Sequence, residues 1–126
     1  MMLLHSAVLP IELTNGNEGR SKKWFNSANQ RNQYFLTLQL LGFGRKPFAE
    51  RVDVLVTRIY GAGQKPWDAS SIGRGNWKEI EDSLVQLGWW HDDSSKWIRH
   101  CDFRQRADRG EKPSVLVEVF QIEEGR

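Results

Sequence analysis

Apolar residues near the middle of the chain recur with the spacing of one face of an α-helix. The stripe consists of Trp77, Ile80, Leu84 and Leu87, with polar or charged residues among them. Steps of three and four residues place side chains on one side of a helix that has about 3.6 residues per turn. Gly88 follows, where a glycine commonly ends a helix. The pattern therefore predicts an amphipathic helix over residues 76–87.

Other stretches have the apolar character of β-strands. They cover residues 7–13, 51–60, 96–103 and 114–122. In the second stretch Val52, Val54 and Val56 alternate with other residues, and a period of two is typical of a strand. The first stretch contains Pro10, which has no backbone N–H to donate. It is therefore predicted to be an edge strand.

A second helix is predicted between the first two strands. Residues 27–41 combine helix-forming composition with apolar residues at helical spacing, and Gly42 follows as a C-terminal cap. The order strand, helix, strand, helix, strand, strand indicates an α+β fold, a mixed β-sheet with two helices packed on it. The last two strands are predicted to form a hairpin through residues 104–113. The length predicts a single domain, residues 1–126.

The composition is that of an ordinary globular protein. Hydrophobic residues make up 39% and charged residues 27% of the chain, and no apolar run approaches the roughly 18 residues of a membrane span. Residues 1–10 lack the basic start of a signal peptide. The single cysteine, Cys101, permits no internal disulfide and argues against a thiolate zinc site. These features predict a cytoplasmic protein with no membrane partner.

Positive and negative charges are unevenly distributed along the chain. Residues 1–65 contain nine Lys or Arg and four Asp or Glu, whereas residues 66–126 contain nine and twelve. A basic half suits a phosphate backbone and an acidic half suits a metal site, although an ordinary surface of mixed charge is the simpler explanation of the distribution. The candidate DNA-binding cations are Arg20, Lys22, Lys23, Arg74, Arg104 and Arg106.

Carboxylates and a lysine surround the predicted middle helix. Asp68 precedes the helix, Lys78 stands in its first turn, and Asp92 and Asp93 follow its end. Carboxylates bind hard cations such as Mg²⁺, and a lysine offsets negative charge on a phosphate. The helix would be roughly 16 Å long, so Asp68 and Asp93 leave it from opposite ends. They share a cation only if the chain folds back or a second subunit completes the site.

Two further polar residues near this group have alternative interpretations. Asp82 lies one helical turn after Lys78, where a salt bridge within the helix is its ordinary role. His91, beside Asp92, is a candidate ligand or proton shuttle, although a lone histidine in a loop is more often structural or simply exposed.

The chain contains six tryptophans. Trp77 and Trp97 fit amphipathic patterns and are predicted to lie in the core. Trp67, Trp89 and Trp90 lie in or beside predicted loops. They are candidates for stacking on unpaired bases or for burial at a subunit interface.

The motifs in residues 68–93 resemble those of the RusA-type Holliday junction resolvases, a family common in prophages. That family carries a D-x-D-N…K…D-x-L…G…D-D arrangement. The matching residues are Asp68, Asn76, Lys78, Asp82, Leu84, Gly88, Asp92 and Asp93. From Lys78 to Asp93 the spacing resembles that of the family without a gap, and a looser likeness covers most of the chain.

The resemblance implies a RusA-like fold and a homodimeric, Mg²⁺-dependent endonuclease, with Mn²⁺ as a substitute, in a bacterial or phage-encoded cytoplasmic protein. Such an enzyme cuts branched DNA, the four-way junction above all, during recombination and repair. By the same resemblance Asp68 and Asp93 would be catalytic metal ligands and Asp92 an auxiliary ligand. Lys78 would stabilise the phosphate in the transition state.

One position departs from the family pattern. Ser70 stands where the family has its second aspartate, and a hydroxyl is a far weaker Mg²⁺ ligand than a carboxylate. Three outcomes remain open: another side chain (His91, Asp92 or Asp82) compensates, the enzyme is slow, or the protein binds junctions without cutting them. A protein interaction module that uses exposed tryptophans is a further alternative.

Overall fold

The computed structural model describes residues 2–14, 23–61, 63–73, 75–108, 110 and 112–123. Its strands are β1 (Leu3–Leu9), β2 (Val52–Tyr60), β3 (Ile98–Ala107) and β4 (Ser114–Gln121). Its helices are α1 (Lys23–Leu40), the single-turn α2 (Ala69–Ile72) and α3 (Trp77–Gln86). The predicted α+β class, with a mixed sheet and two longer helices, is confirmed.

In the described part of the chain the four strands form one mixed sheet in the order β1-β4-β2-β3. β4 pairs antiparallel with both β1 and β2, whereas β2 pairs parallel with β3. β1 is therefore an edge strand, as predicted, and Pro10 follows directly after it. Its bounds differ from residues 7–13, because the strand begins at Leu3 and ends before the proline.

The core lies between the helices and one face of the sheet. Val54 in β2 is paired with Cys101 in β3 and with Val119 in β4, so the three side chains share that face. Val54 and Val119 are buried, and the same buried cluster contains Leu38 of α1 and Leu84 of α3. The valine alternation in β2 and the apolar stripe of α3 therefore meet in a single core.

α1 and α3 end in the same way, at a glycine with positive φ. Gly88 has a φ of 93° and donates its N–H to the Val85 carbonyl, while Trp89 donates to the Leu84 carbonyl. This pair of bonds is a Schellman motif, which satisfies two of the last carbonyls of a helix. Gly42 ends α1 with the equivalent bonds and a φ of 84°. Both glycine caps predicted from the sequence are confirmed.

The predicted hairpin between the last two strands is wrong. β3 continues to Ala107, and β2 lies between β3 and β4, so the last two strands are not neighbours in the sheet. The end of β3 was not recognised in the sequence because it contains no alternating apolar residues. Arg104 and Arg106 are exposed there, and the half-buried residue between them is Gln105. Such a segment resembles a loop in composition, although its pairing with β2 makes it a strand.

The bounds of α1 also differ from prediction, since the helix begins at Lys23 and not at residue 27. Among the described residues, no helix has both the length and the apolar content required to cross a membrane.

Candidate functional site

Lys78 and Asp93, 15 positions apart in the chain, form a direct ion pair between Nζ and Oδ2. Trp77 and Ile80 bury one face of α3 in the core and leave the Lys78 side chain 62% exposed beside it. After Gly88 the chain runs back along α3, so that Asp93 reaches the first turn. The fold-back within one subunit, which the sequence left open, brings this pair together.

The segment that carries Asp93 is held at both ends. The Trp89 indole N–H donates to the Phe43 carbonyl at 2.7 Å, which anchors the segment to the end of α1. The Asp92 carboxylate accepts the Ser94 N–H at 2.8 Å, and the Ser94 carbonyl accepts N–H bonds from Trp97 and Ile98 at 3.0 Å. Asp93 therefore stands in a turn whose backbone is fixed by its neighbours.

Two further carboxylates surround Lys78. The Asp82 Oδ1 lies 3.2 Å from the Lys78 Nζ, which confirms the helix pair predicted from the sequence, and the Glu81 Oε1 lies 3.9 Å away. Asp82 also contacts Arg31 of α1, with 3.6 Å between Nη1 and Oδ2. We name Lys78, Glu81, Asp82 and Asp93 the Lys78 cluster.

The charges in this cluster shift one another's acidity. Asp93 raises the pKa of Lys78 by accepting its hydrogen bond, and Lys78 lowers the pKa of Asp93 by donating it. Burial, and after it the negative charge of Asp93, raise the pKa of Glu81 to about 7. One carboxyl of the cluster is thus close to its titration midpoint at neutral pH.

Glu81 was not among the residues predicted from the sequence. It stands four residues after the buried Trp77, a spacing that places its side chain beside the apolar stripe, and only 13% of the side chain is exposed. A glutamate at such a position is largely buried next to the lysine three residues before it. That combination was the signal available in the sequence.

Asp68 lies outside these contacts. It is the residue before α2, and the preceding Trp67 is fastened to β3 by Gln105. The Gln105 side chain accepts the Trp67 N–H at 2.8 Å and donates to the Trp67 carbonyl. These two bonds hold the start of the segment that carries Asp68 against β3.

The predicted metal ligands are not gathered into one group. Within the described residues, no set of three or more His, Cys, Asp or Glu side chains is arranged to hold a metal ion. Asp92 is exposed and caps its own turn through Ser94, a bond that lowers the pKa of its carboxyl. Burial raises the pKa of the Cys101 thiol to about 12, which leaves it a protonated core group.

Of the predicted DNA-binding cations, two can be placed. Arg104 and Arg106 are exposed on β3 and project from the same face of that strand. Arg20, Lys22 and Arg74 lie outside the described residues, and so do the side chains of Lys23 and Ser70.

The burial of the tryptophans differs from the prediction. Trp89 and Trp90 are 0% and 2% exposed, so both interpretations of these two, base stacking and a subunit interface, are wrong. Trp77 is in the core as predicted. Trp67 is half-buried beneath the Arg58 guanidinium, 3.4 Å from its ring centre. Trp97 is also only half-buried, and its ring lies against His91.

The structure thus brings Lys78, Asp82 and Asp93 together, adds Glu81, and places Asp68 and Asp92 outside their contacts. No protein-family model matches the chain, and no curated protein matches it significantly.

Proposed function

We propose that the protein is a divalent-metal-dependent endonuclease that hydrolyses phosphodiester bonds in branched DNA. The observation that carries this proposal is the direct contact of Lys78 with Asp93, two residues of the resolvase-like motif. Their separation in the sequence resembles the spacing in that family, whereas the pairing of Lys78 with Asp82 is explained by helix geometry alone. The mixed sheet with helices on one face is compatible with the fold that the resemblance implies.

The chemistry of the donors fits Mg²⁺, which proteins often bind through one or two carboxylates together with substrate phosphates. Asp93 would hold the ion, with Asp68 and Asp92 as further predicted ligands. A cation held there would polarise the phosphate and lower the pKa of a bound water. Lys78 would neutralise charge that develops on the phosphate, because its Nζ already lies beside Asp93 on an exposed edge of α3.

Other residues hold Lys78 and the segment that carries Asp68 in position. Asp82 and Arg31 form a second ion pair next to Lys78, which limits the positions that the lysine can adopt. Gln105 and Arg58 hold Trp67 in place, and through it the start of the segment that carries Asp68. A homodimer would place two such sites symmetrically, which suits a junction with two-fold symmetry.

A second candidate is a protein that binds branched DNA without cutting it. The favouring observation is that Lys78 is surrounded by three carboxylates, so its charge is already balanced by the protein. The absence of a three-ligand metal group among the described residues points the same way. This candidate predicts tight, salt-sensitive junction binding and an unchanged affinity in Asp68→Asn.

Cleavage of a labelled four-way junction separates the two candidates. In Mg²⁺ or Mn²⁺ the endonuclease gives paired nicks that disappear in Asp93→Asn and persist in Asp102→Asn, a matched change at an exposed aspartate of β3. Binding with no nick in either metal would support the second candidate. Failure to bind the junction at all would refute both.

A further inference from the structure

His91 and Trp97 form an aromatic pair next to the Lys78 cluster. Their ring centres are 4.4 Å apart, with 45° between the ring planes. His91 is exposed and Trp97 half-buried, so the indole supports the imidazole from the protein side and the imidazole meets solvent. An exposed histidine that packs on a tryptophan offers a flat, polarisable surface.

The backbone under this pair is fixed. The Trp97 N–H donates to the Ser94 carbonyl, and the Trp97 carbonyl accepts the Val52 N–H at 2.9 Å, which ties it to the start of β2. Directly before His91, the buried Trp90 anchors the segment in the core. The pair is therefore preorganised, and a ligand that stacks on it would not have to order the segment first.

The position of the pair relative to Asp93 is also fixed by the chain. His91 is two residues from Asp93, which limits the separation of their Cα atoms to about 7 Å. Lys96, with its Nζ 5.4 Å from the centre of the Trp97 ring, adds a positive charge on the same turn. A nucleotide whose phosphate reached Lys78 and Asp93 would have its base, or that of its neighbour, within reach of His91.

We propose that His91, supported by Trp97, is a stacking site for an unstacked nucleobase at the branch point of DNA. The inference rests on the proposed action on branched DNA, and it names the unstacked base as the feature of the branch that the protein recognises. Histidine stacks on bases whose neighbours have been removed, and bases at a branch cost least to unstack. A continuous duplex presents no such base, so the site would favour branched over linear DNA.

Fluorescence anisotropy with a labelled four-way junction, and with a linear duplex of the same arm sequence, tests this in EDTA, where cleavage plays no part. His91→Ala should weaken junction binding about fivefold to hundredfold and change duplex binding less than about twofold. His91→Phe, which keeps a ring, should restore junction affinity to within about twofold. His100→Ala, a matched change at an exposed histidine of β3, should bind like the wild type.

The outcomes separate this site from the proposed function. Wild-type affinity in His91→Ala, equal losses for junction and duplex, or no restoration by His91→Phe would each refute the stacking site while junction binding stands. A wild-type protein that does not bind the junction would overturn the proposed function and the stacking site together.

Discussion

Glu81 is a carboxylic acid held in a largely buried position beside Lys78. Its pKa of about 7 in the folded protein lies above the ordinary 4.5, so the folded state binds this proton more tightly than the unfolded chain does. The resulting stability is fully present below about pH 4.5 and is lost as pH rises through 7. The shift corresponds to as much as about 3 kcal/mol.

Glu81→Gln should therefore stabilise the protein above pH 7, because an amide of the same shape carries no charge to bury. We expect a gain of as much as about 3 kcal/mol at pH 8 and little change at pH 4.5. Urea unfolding at the two pH values measures it, with Glu50→Gln in an exposed loop as the control. Parallel stability curves for wild type and Glu81→Gln would show that Glu81 does not titrate in this way.

The sequence located part of the Lys78 cluster and missed part of it. Lys78, Asp82 and Asp93 were found because a helix salt bridge and a motif spacing are both local patterns. Glu81 was missed because its acidity depends on burial by the core and on Asp93, which are contacts across the fold. The position of Asp68 was equally hidden, since its neighbour Trp67 is held by Gln105 from the distant strand β3.

Gly88 joins the end of α3 to the segment that leaves α1. A Cβ at this position would lie 2.2 Å from the Arg45 carbonyl oxygen, and the φ of 93° disfavours any other residue. Gly42 ends α1 in the same motif, with a φ of 84°, but a Cβ there would meet nothing within 4 Å. The two glycines therefore separate backbone strain from steric contact.

Gly42→Ala should cost about 1–2 kcal/mol, the strain of a left-handed alanine. Gly88→Ala should cost about 1–3 kcal/mol more, since it also forces two backbone segments apart. Urea unfolding gives both values. Equal costs for the two variants would mean that the approach of Arg45 to Gly88 is not tight in solution.

Asn76 fastens the start of α3 to α1 and to the segment that follows β1. Its side chain accepts the Thr14 N–H at 2.8 Å, and donates to the Glu12 carbonyl and to the Tyr34 hydroxyl, both at 2.9 Å. The residue is only 5% exposed, so water cannot readily replace these bonds. It positions the turn of α3 that carries Lys78.

Asn76→Ala should destabilise the protein by about 2–4 kcal/mol, because it removes the three hydrogen bonds of a buried side chain. Asn32→Ala, at an exposed position of α1, should change the free energy of unfolding by less than about 0.5 kcal/mol. Thermal or urea unfolding makes the comparison. A cost below about 1 kcal/mol at Asn76 would show that the network contributes little.

The helices and the central strand were predictable because their signals are local. The stripe from Trp77 to Leu87 has the spacing of a helix, and the valines of β2 have the spacing of a strand. Gly42 and Gly88 mark where the two longer helices end. The partner of β3 was not predictable in this way. Nothing between Ala107 and Ser114 says that β4 lies on the other side of β2 from β3, because strand order is decided by the whole sheet.

The proposed junction activity requires the protein to form a dimer. Two cuts placed symmetrically on a four-way junction require two sites related by a two-fold axis, and one chain supplies one Lys78 cluster. Sedimentation equilibrium at micromolar concentration should therefore give about twice the mass of the chain. A monomer at every concentration, with and without junction DNA, would rule out the homodimer.

The endonuclease proposal predicts that Lys78 and Asp93 act as one unit, and single-turnover cleavage of a four-way junction in Mg²⁺ measures this directly. Lys78→Met and Asp93→Asn should each slow cleavage at least about a hundredfold. The double variant should be no slower than the worse single variant, since residues that act together are not additive. Independent, multiplying losses, or no cleavage by the wild type in Mg²⁺ or Mn²⁺, would show that this pair is not a catalytic site.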